Sequence, residues 1–93
     1  MKTYEATVIF TSDAAAFQEG REFLKREFET AGITVTKEED MGDRLLAYPV
    51  RKNDRGHYIL YTIQSPPEPL KTLSRSLKLR TEVLKHMFVR KDE

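Results

Sequence analysis

Six segments with different hydrophobic periods follow one another within 93 residues, and their order leaves few folds open. Residues 2–11 alternate. Tyr4, Ala6, Val8 and Phe10 fall on one face and Glu5, Thr7 and Ile9 on the other, the two-residue period of a strand. Phe17, Leu24, Phe28 and Ala31 then recur at helical spacing among Glu22, Lys25, Arg26 and Glu29. Ser12 and Asp13 are N-cap candidates for this helix, and Gly32 suits the left-handed position just past its end. Gly20 inside it costs about 1 kcal/mol against alanine. Close packing on the sheet and tolerated inefficiency are equally good reasons for it.

A second strand begins at residues 33–37. The run "KEED" and Met41-Gly42 interrupt its pattern, which resumes at residues 44–48, so the sequence predicts one long strand with an exposed, bulged portion. Residues 49–55 are expected to be a connection: Pro49 removes a backbone donor, and Asn53, Asp54 and Gly56 supply turn chemistry. Residues 57–64 form a third strand, apolar on both faces. "SPPEP" ends it and opens a second helix, with Ser65 as a possible cap and a proline in the first turn. Leu70, Leu73 and Leu77 form the buried stripe of that helix, and Lys71, Arg75 and Lys78 lie outside it. A last strand covers residues 83–90. The order β-α-β-β-α-β, with right-handed crossovers, specifies an α+β, ferredoxin-like fold. It is a four-stranded antiparallel sheet with both helices on one face, formed by a single domain over residues 1–93.

The sheet's other face meets water, yet it is not polar throughout. Tyr58, Leu60 and Ile9 point to it. Met87 and Val89, or else His86 and Phe88, join them from the last strand, since alternation alone fits either pair. Such a patch points to a protein partner or ligand surface, against the plainer reading of scattered exposed apolar residues.

No catalytic constellation is present. His57 and His86 lack ligand-spaced neighbours, so no metal site is expected. There is no G-x-S-x-G and no glycine-rich phosphate loop, and "KEED" lacks a calcium-loop pattern and reads as an exposed, repelling acidic run. An acylphosphatase-like enzyme shares this topology, but topology does not carry chemistry. No run approaches the 18 apolar residues of a membrane span. The absence of cysteine removes disulfides and thiolate sites and makes a cytosolic location the expectation. Charge is uneven: residues 1–46 hold 6 Lys/Arg against 10 Asp/Glu, and residues 47–93 hold 10 against 5. The second half therefore favours an anionic partner. "RGHYILYTI" lacks the signature of an RNA-recognition motif.

Tyr4-Glu5, Gly32, "GDRLLAYPV" at 42–50, Lys52, "GHY" at 56–58 and "LSRSLKLRTEVLKHMFVR" at 73–90 occur in that order and spacing. Together they make the chain resemble the bacterial small-subunit ribosomal protein S6 family over essentially its whole length. Leu45 stands where that family often has a second basic residue, and the stretches before the first helix and after Arg90 are short. The resemblance implies a non-enzymatic, ferredoxin-like protein of the ribosomal platform, cytoplasmic and without cofactor. It also implies a protein that pairs with ribosomal protein S18 and binds small-subunit ribosomal RNA together with it. On that reading Lys2, Arg44, Arg51, Lys52, Arg90 and Lys91 are expected to neutralise phosphates. Ile9, Tyr58, Leu60 and Met87 are expected to meet the protein partner, and Tyr4 and Tyr48 fit the core better than either surface. The competing class is a small-molecule-binding regulatory or dimerisation domain of the same topology.

Overall fold

A computed structural model describes residues 2–91. The elements are β1 (Lys2–Phe10), α1 (Ala14–Thr30), β2 (Thr34–Val50), β3 (Asn53–Ser65), α2 (Pro67–Lys78) and β4 (Val83–Arg90). The strands form one antiparallel sheet in the order β2-β3-β1-β4, the expected ferredoxin-like topology.

Helix α1 is closed at both ends by its own sequence. The Asp13 carboxylate accepts from the Ala16 N–H at 3.0 Å, while Ser12 bonds elsewhere. At the other end Gly32 sits at φ 71°, its N–H bonds Glu29, and the Ile33 N–H bonds Phe28. This is a Schellman closure, with Ile33 and Phe28 both in the core. Gly20 marks a close approach: a Cβ there would lie 2.9 Å from both the Phe10 ring and the Glu82 Cβ. Helix α2 begins differently from expectation. Ser65 does not cap it; its hydroxyl donates to the Pro66 carbonyl at 2.7 Å, and the helix opens on Pro67 without a side-chain cap. Proline's fixed φ and missing N–H suit that position.

Tyr4, Ala6, Val8 and Phe10 of β1 and Ile59, Tyr61 and Ile63 of β3 face the helices. Leu24 and Phe28 of α1 and Leu70, Leu73 and Leu77 of α2 close over them. Strand pairing settles the ambiguity in β4. Val8 opposes His86 and Ala6 opposes Phe88, which places both under the helices. Met87 opposites Thr7 and Val89 opposites Glu5, which places both on the open face.

The largest departure from the sequence reading lies between β2 and β3. The connection has two residues, Arg51 and Lys52, not seven, and Asn53 to Gly56 belong to β3. Strand β2 runs on through Pro49. From Leu45 to Val50 it advances five positions while β3 advances only two, from Arg55 to Asn53. The stretch "LAYP" is therefore a long bulge, where a missing proline donor leaves no ladder bond broken.

Candidate nucleic-acid and partner interface

The bulge bends the β2–β3 hairpin across the end of the sheet. Its turn has positive φ at both central residues, Arg51 (49°) and Lys52 (65°), the type I′ geometry that suits the twist of paired strands. Asn53 closes it by donating to the carbonyls of Val50 and Arg51. The tip then reaches from the β2 edge to the beginning of β4, on the far side of β1. The Arg51 guanidinium donates to the carbonyls of Lys78, Arg80 and Val83 at 3.4, 3.2 and 3.3 Å. Lys85 of β4 donates to the Tyr48 hydroxyl at 3.4 Å, its ammonium 5.8 Å from the ring centroid.

This curl decides which open-face residues have surface to offer. Ile9 points to the open face but is only 8% exposed, because Gly56 lies against its methyl and Leu46 reaches the same spot. Tyr58 and Leu60 are half-buried. Met87 is 53% and Val89 48% exposed, so the free apolar surface is displaced toward β4. Leu60 and Met87 flank Thr7 in one row across three strands. Tyr4 is a core residue, as its alternation predicts. Tyr48 is not: it is 61% exposed, lifted off the ladder by the bulge. Val89 and Tyr48 are the surface residues that sequence reasoning left out of the site. Strand alternation pairs Val89 with Met87, and the proline after Tyr48 was the local clue to the bulge.

The six cations expected at RNA are all exposed but fall into two groups. Lys2, Arg90 and Lys91 lie where β1 begins and β4 ends, joined there by the Lys91 N–H to the Thr3 carbonyl. Arg44, Arg51 and Lys52 lie on the hairpin, beyond the other end of β1, about 30 Å away at the rise of an extended strand. Arg51 is committed to carbonyls, and the Arg44 Nε donates to the Met41 carbonyl. Lys2, Lys52 and Lys91 have no side-chain partner among the described residues.

The acidic run is exposed but not a set of repelling charges. Glu38 pairs with Arg21 of α1, Glu39 with Lys37, and Asp40 accepts from His57 Nε2 at 2.5 Å. Asp43 accepts from Ser12 and Arg55. Those two hydrogen bonds hold its carboxyl below the usual range. Burial opposes ionisation of Asp40, but the bonds from His57 and the Gly42 N–H prevail and lower its pKa as well. His57 also stacks on Phe17 with ring centroids 3.8 Å apart, so this edge clasps α1 to the sheet.

His86 sits under α2, where Ser74 Oγ lies 2.7 Å from its Nε2. Burial, and then the Lys78 charge, push its pKa below the ordinary 6.5. The folded state therefore prefers the neutral ring. Its contribution to stability is complete above pH 6.5 and is lost as pH falls through the lowered folded value. Titration of the His86 ring protons by NMR is expected to give a midpoint below 6.5; a midpoint at or above it contradicts the assignment.

The C-terminal domain of the MgtC protein from Mycobacterium tuberculosis has the same fold, with a TM-score of 0.69 at 16% identity, covering all of this chain and 90% of that one. The 30S ribosomal protein S6 of Thermotoga maritima superposes with a TM-score of 0.86 at 22% identity, covering 97% of this chain and 87% of that one. These likenesses speak for the fold alone, and the sequence separates them. Small ribosomal subunit protein bS6 of Treponema pallidum (strain Nichols) is 34% identical over 92 residues, 99% of each chain. That of Thermus thermophilus is 30% identical over 95 aligned residues, covering this whole chain and 94% of its own. The family model described as ribosomal protein S6 matches residues 3–90, and the chain belongs to the ribosomal protein S6 family.

Proposed function

We propose that this chain is a structural, non-enzymatic component of the small ribosomal subunit in the cytoplasm, where it binds small-subunit ribosomal RNA jointly with ribosomal protein S18. The observation that carries this reading is the composition of the open face. Half-buried Leu60 and exposed Met87 and Val89 lie between cations at the strand ends, Lys2 and Lys91 at one end and Lys52 at the other, which have no side-chain partner among the described residues. Apolar surface of that kind fits a protein partner, and the flanking lysines fit phosphates that run past it. The family membership supplies the ribosomal context. With a net charge of +1 the chain alone has little attraction for RNA, so a basic partner that completes the surface accounts for joint binding.

The test is assembly of the protein with S18 and a small-subunit ribosomal RNA junction across a salt series. Lys2→Glu, Lys52→Glu and Lys91→Glu avoid the anchored Arg51. Each phosphate contact removed is expected to make the salt slope shallower by about 1. Met87→Asp is expected to weaken the protein–protein step instead. Wild-type-like assembly by all four variants, or a stable homodimer indifferent to both partner and RNA, would overturn the reading in favour of a self-associating regulatory domain.

A further inference from the structure

The helix side of the molecule carries a second basic surface, separate from the open face. Lys71, Arg75 and Lys78 recur at i, i+4 and i+7 on α2 and are all exposed. At the rise of an α-helix they form one row about 10 Å long. They line a shallow groove of about 500 Å³ together with Leu70, Ser74 and Phe88.

Adjacency without an internal counter-charge distinguishes this row from the β2 edge, where four acids each have a cation or histidine partner, and from Arg80, which is taken by Glu82. The three α2 cations have no side-chain partner among the described residues, and even Glu68, three residues before Lys71, pairs with none of them. The Lys78 charge is felt by His86, which lines up with Ser74 at 2.7 Å beneath the row. Three like charges left side by side are the complement of a run of anionic oxygens.

We infer that the Lys71–Arg75–Lys78 row and its groove form a second RNA contact, one that holds the phosphate backbone of a single strand without reading its bases. This deepens the RNA-binding role proposed above, on the opposite face of the sheet. The groove favours phosphates over a protein segment because it offers no apolar anchor. Leu70 is 7% exposed and Phe88 is half-buried against the core, so neither presents the pocket that concentrates protein–protein affinity. For the same reason no ring is free to stack a base, and the contact is sequence-tolerant.

The test is K71A/R75A/K78A, three exposed helical positions where alanine keeps the helix, with circular dichroism to verify the fold. The probe is a 12-nucleotide uridylate strand, titrated at 50 and 200 mM salt. A single strand loses about 0.7 in salt slope per phosphate contact, so the wild type is expected to weaken roughly 20-fold more than the variant over that range. Equal slopes overturn the inference, as does wild-type protein that fails to bind the strand at 50 mM. A glutamate-rich peptide whose binding the variant loses, while uridylate binding stays intact, overturns it in favour of an acidic protein partner. Co-assembly with S18 and the ribosomal junction is measured separately: its failure sinks the preceding reading and leaves the uridylate result to decide this one.

Discussion

Gly56→Ala is expected to destabilise the domain by about 1–3 kcal/mol, the usual cost of overpacking a filled site, with a fall in melting temperature of about 4–8 °C for each kcal/mol. A Cβ at Gly56 would lie 2.4 Å from Cγ2 of Ile9 and 3.3 Å from the Phe10 carbonyl oxygen, with Leu46 packed 3.5 Å away. The Ile9 methyl branches directly from Cβ of a central strand and has no flexible end to swing aside. Relief therefore requires the curled hairpin to lift away from β1. A double-mutant cycle separates this clash from a general intolerance of the position. Ile9→Ala removes the obstructing methyl and costs about 2–4 kcal/mol on its own. Once it is gone, Gly56→Ala has room, so the double variant should be clearly more stable than the sum of the two losses. Chemical denaturation of the four proteins measures this. Additivity within about 0.5 kcal/mol would show that Gly56 is not held by that contact.

The same hairpin marks where sequence patterns stop informing. The order of elements, the faces of β1 and β3, the Gly32 closure and the limits of β4 are all legible, because each depends on local period or on one residue's backbone preference. Tyr48 and Ile9 are not legible for the opposite reason. Alternation assigns a face, but exposure depends on what crosses that face, and here a segment more than thirty residues distant does so. Asn53, Asp54 and Gly56 carry better turn chemistry than Arg51-Lys52, yet the turn falls at the poorer pair. Pairing Val50 with Asn53 lets the tip reach the α2–β4 corner, and that tertiary contact overrides the local preference. "KEED" fails as a repelling run because its partners come from α1 and from β3. The candidate site divides in the same way: the identity of the cations is plain in the sequence, whereas their separation into two ends and the engagement of Arg51 are products of packing.

Arg51→Gly and Lys52→Gly should shift stability in opposite directions, although both relieve the same kind of backbone strain. Each wild-type residue holds a left-handed conformation that disfavours a side chain by about 1–2 kcal/mol. Glycine adopts it freely, at a cost of about 0.5–1 kcal/mol in the greater freedom of the unfolded chain. Lys52 has no side-chain partner among the described residues, so Lys52→Gly is expected to be neutral to stabilising by up to about 1 kcal/mol. Arg51→Gly loses the guanidinium bonds to Lys78, Arg80 and Val83 as well. Charged hydrogen bonds contribute about 1.5–3 kcal/mol when well made, and these are long and partly solvated, so a net loss of about 1–2 kcal/mol is expected. Arg51→Ala should be worse than Arg51→Gly, since it forfeits the bonds and keeps the strain. Urea unfolding of the three variants gives the order. If Arg51→Gly were as stable as Lys52→Gly, the guanidinium would contribute nothing to holding the hairpin, and Arg51 would be as free as Lys52 to meet a phosphate.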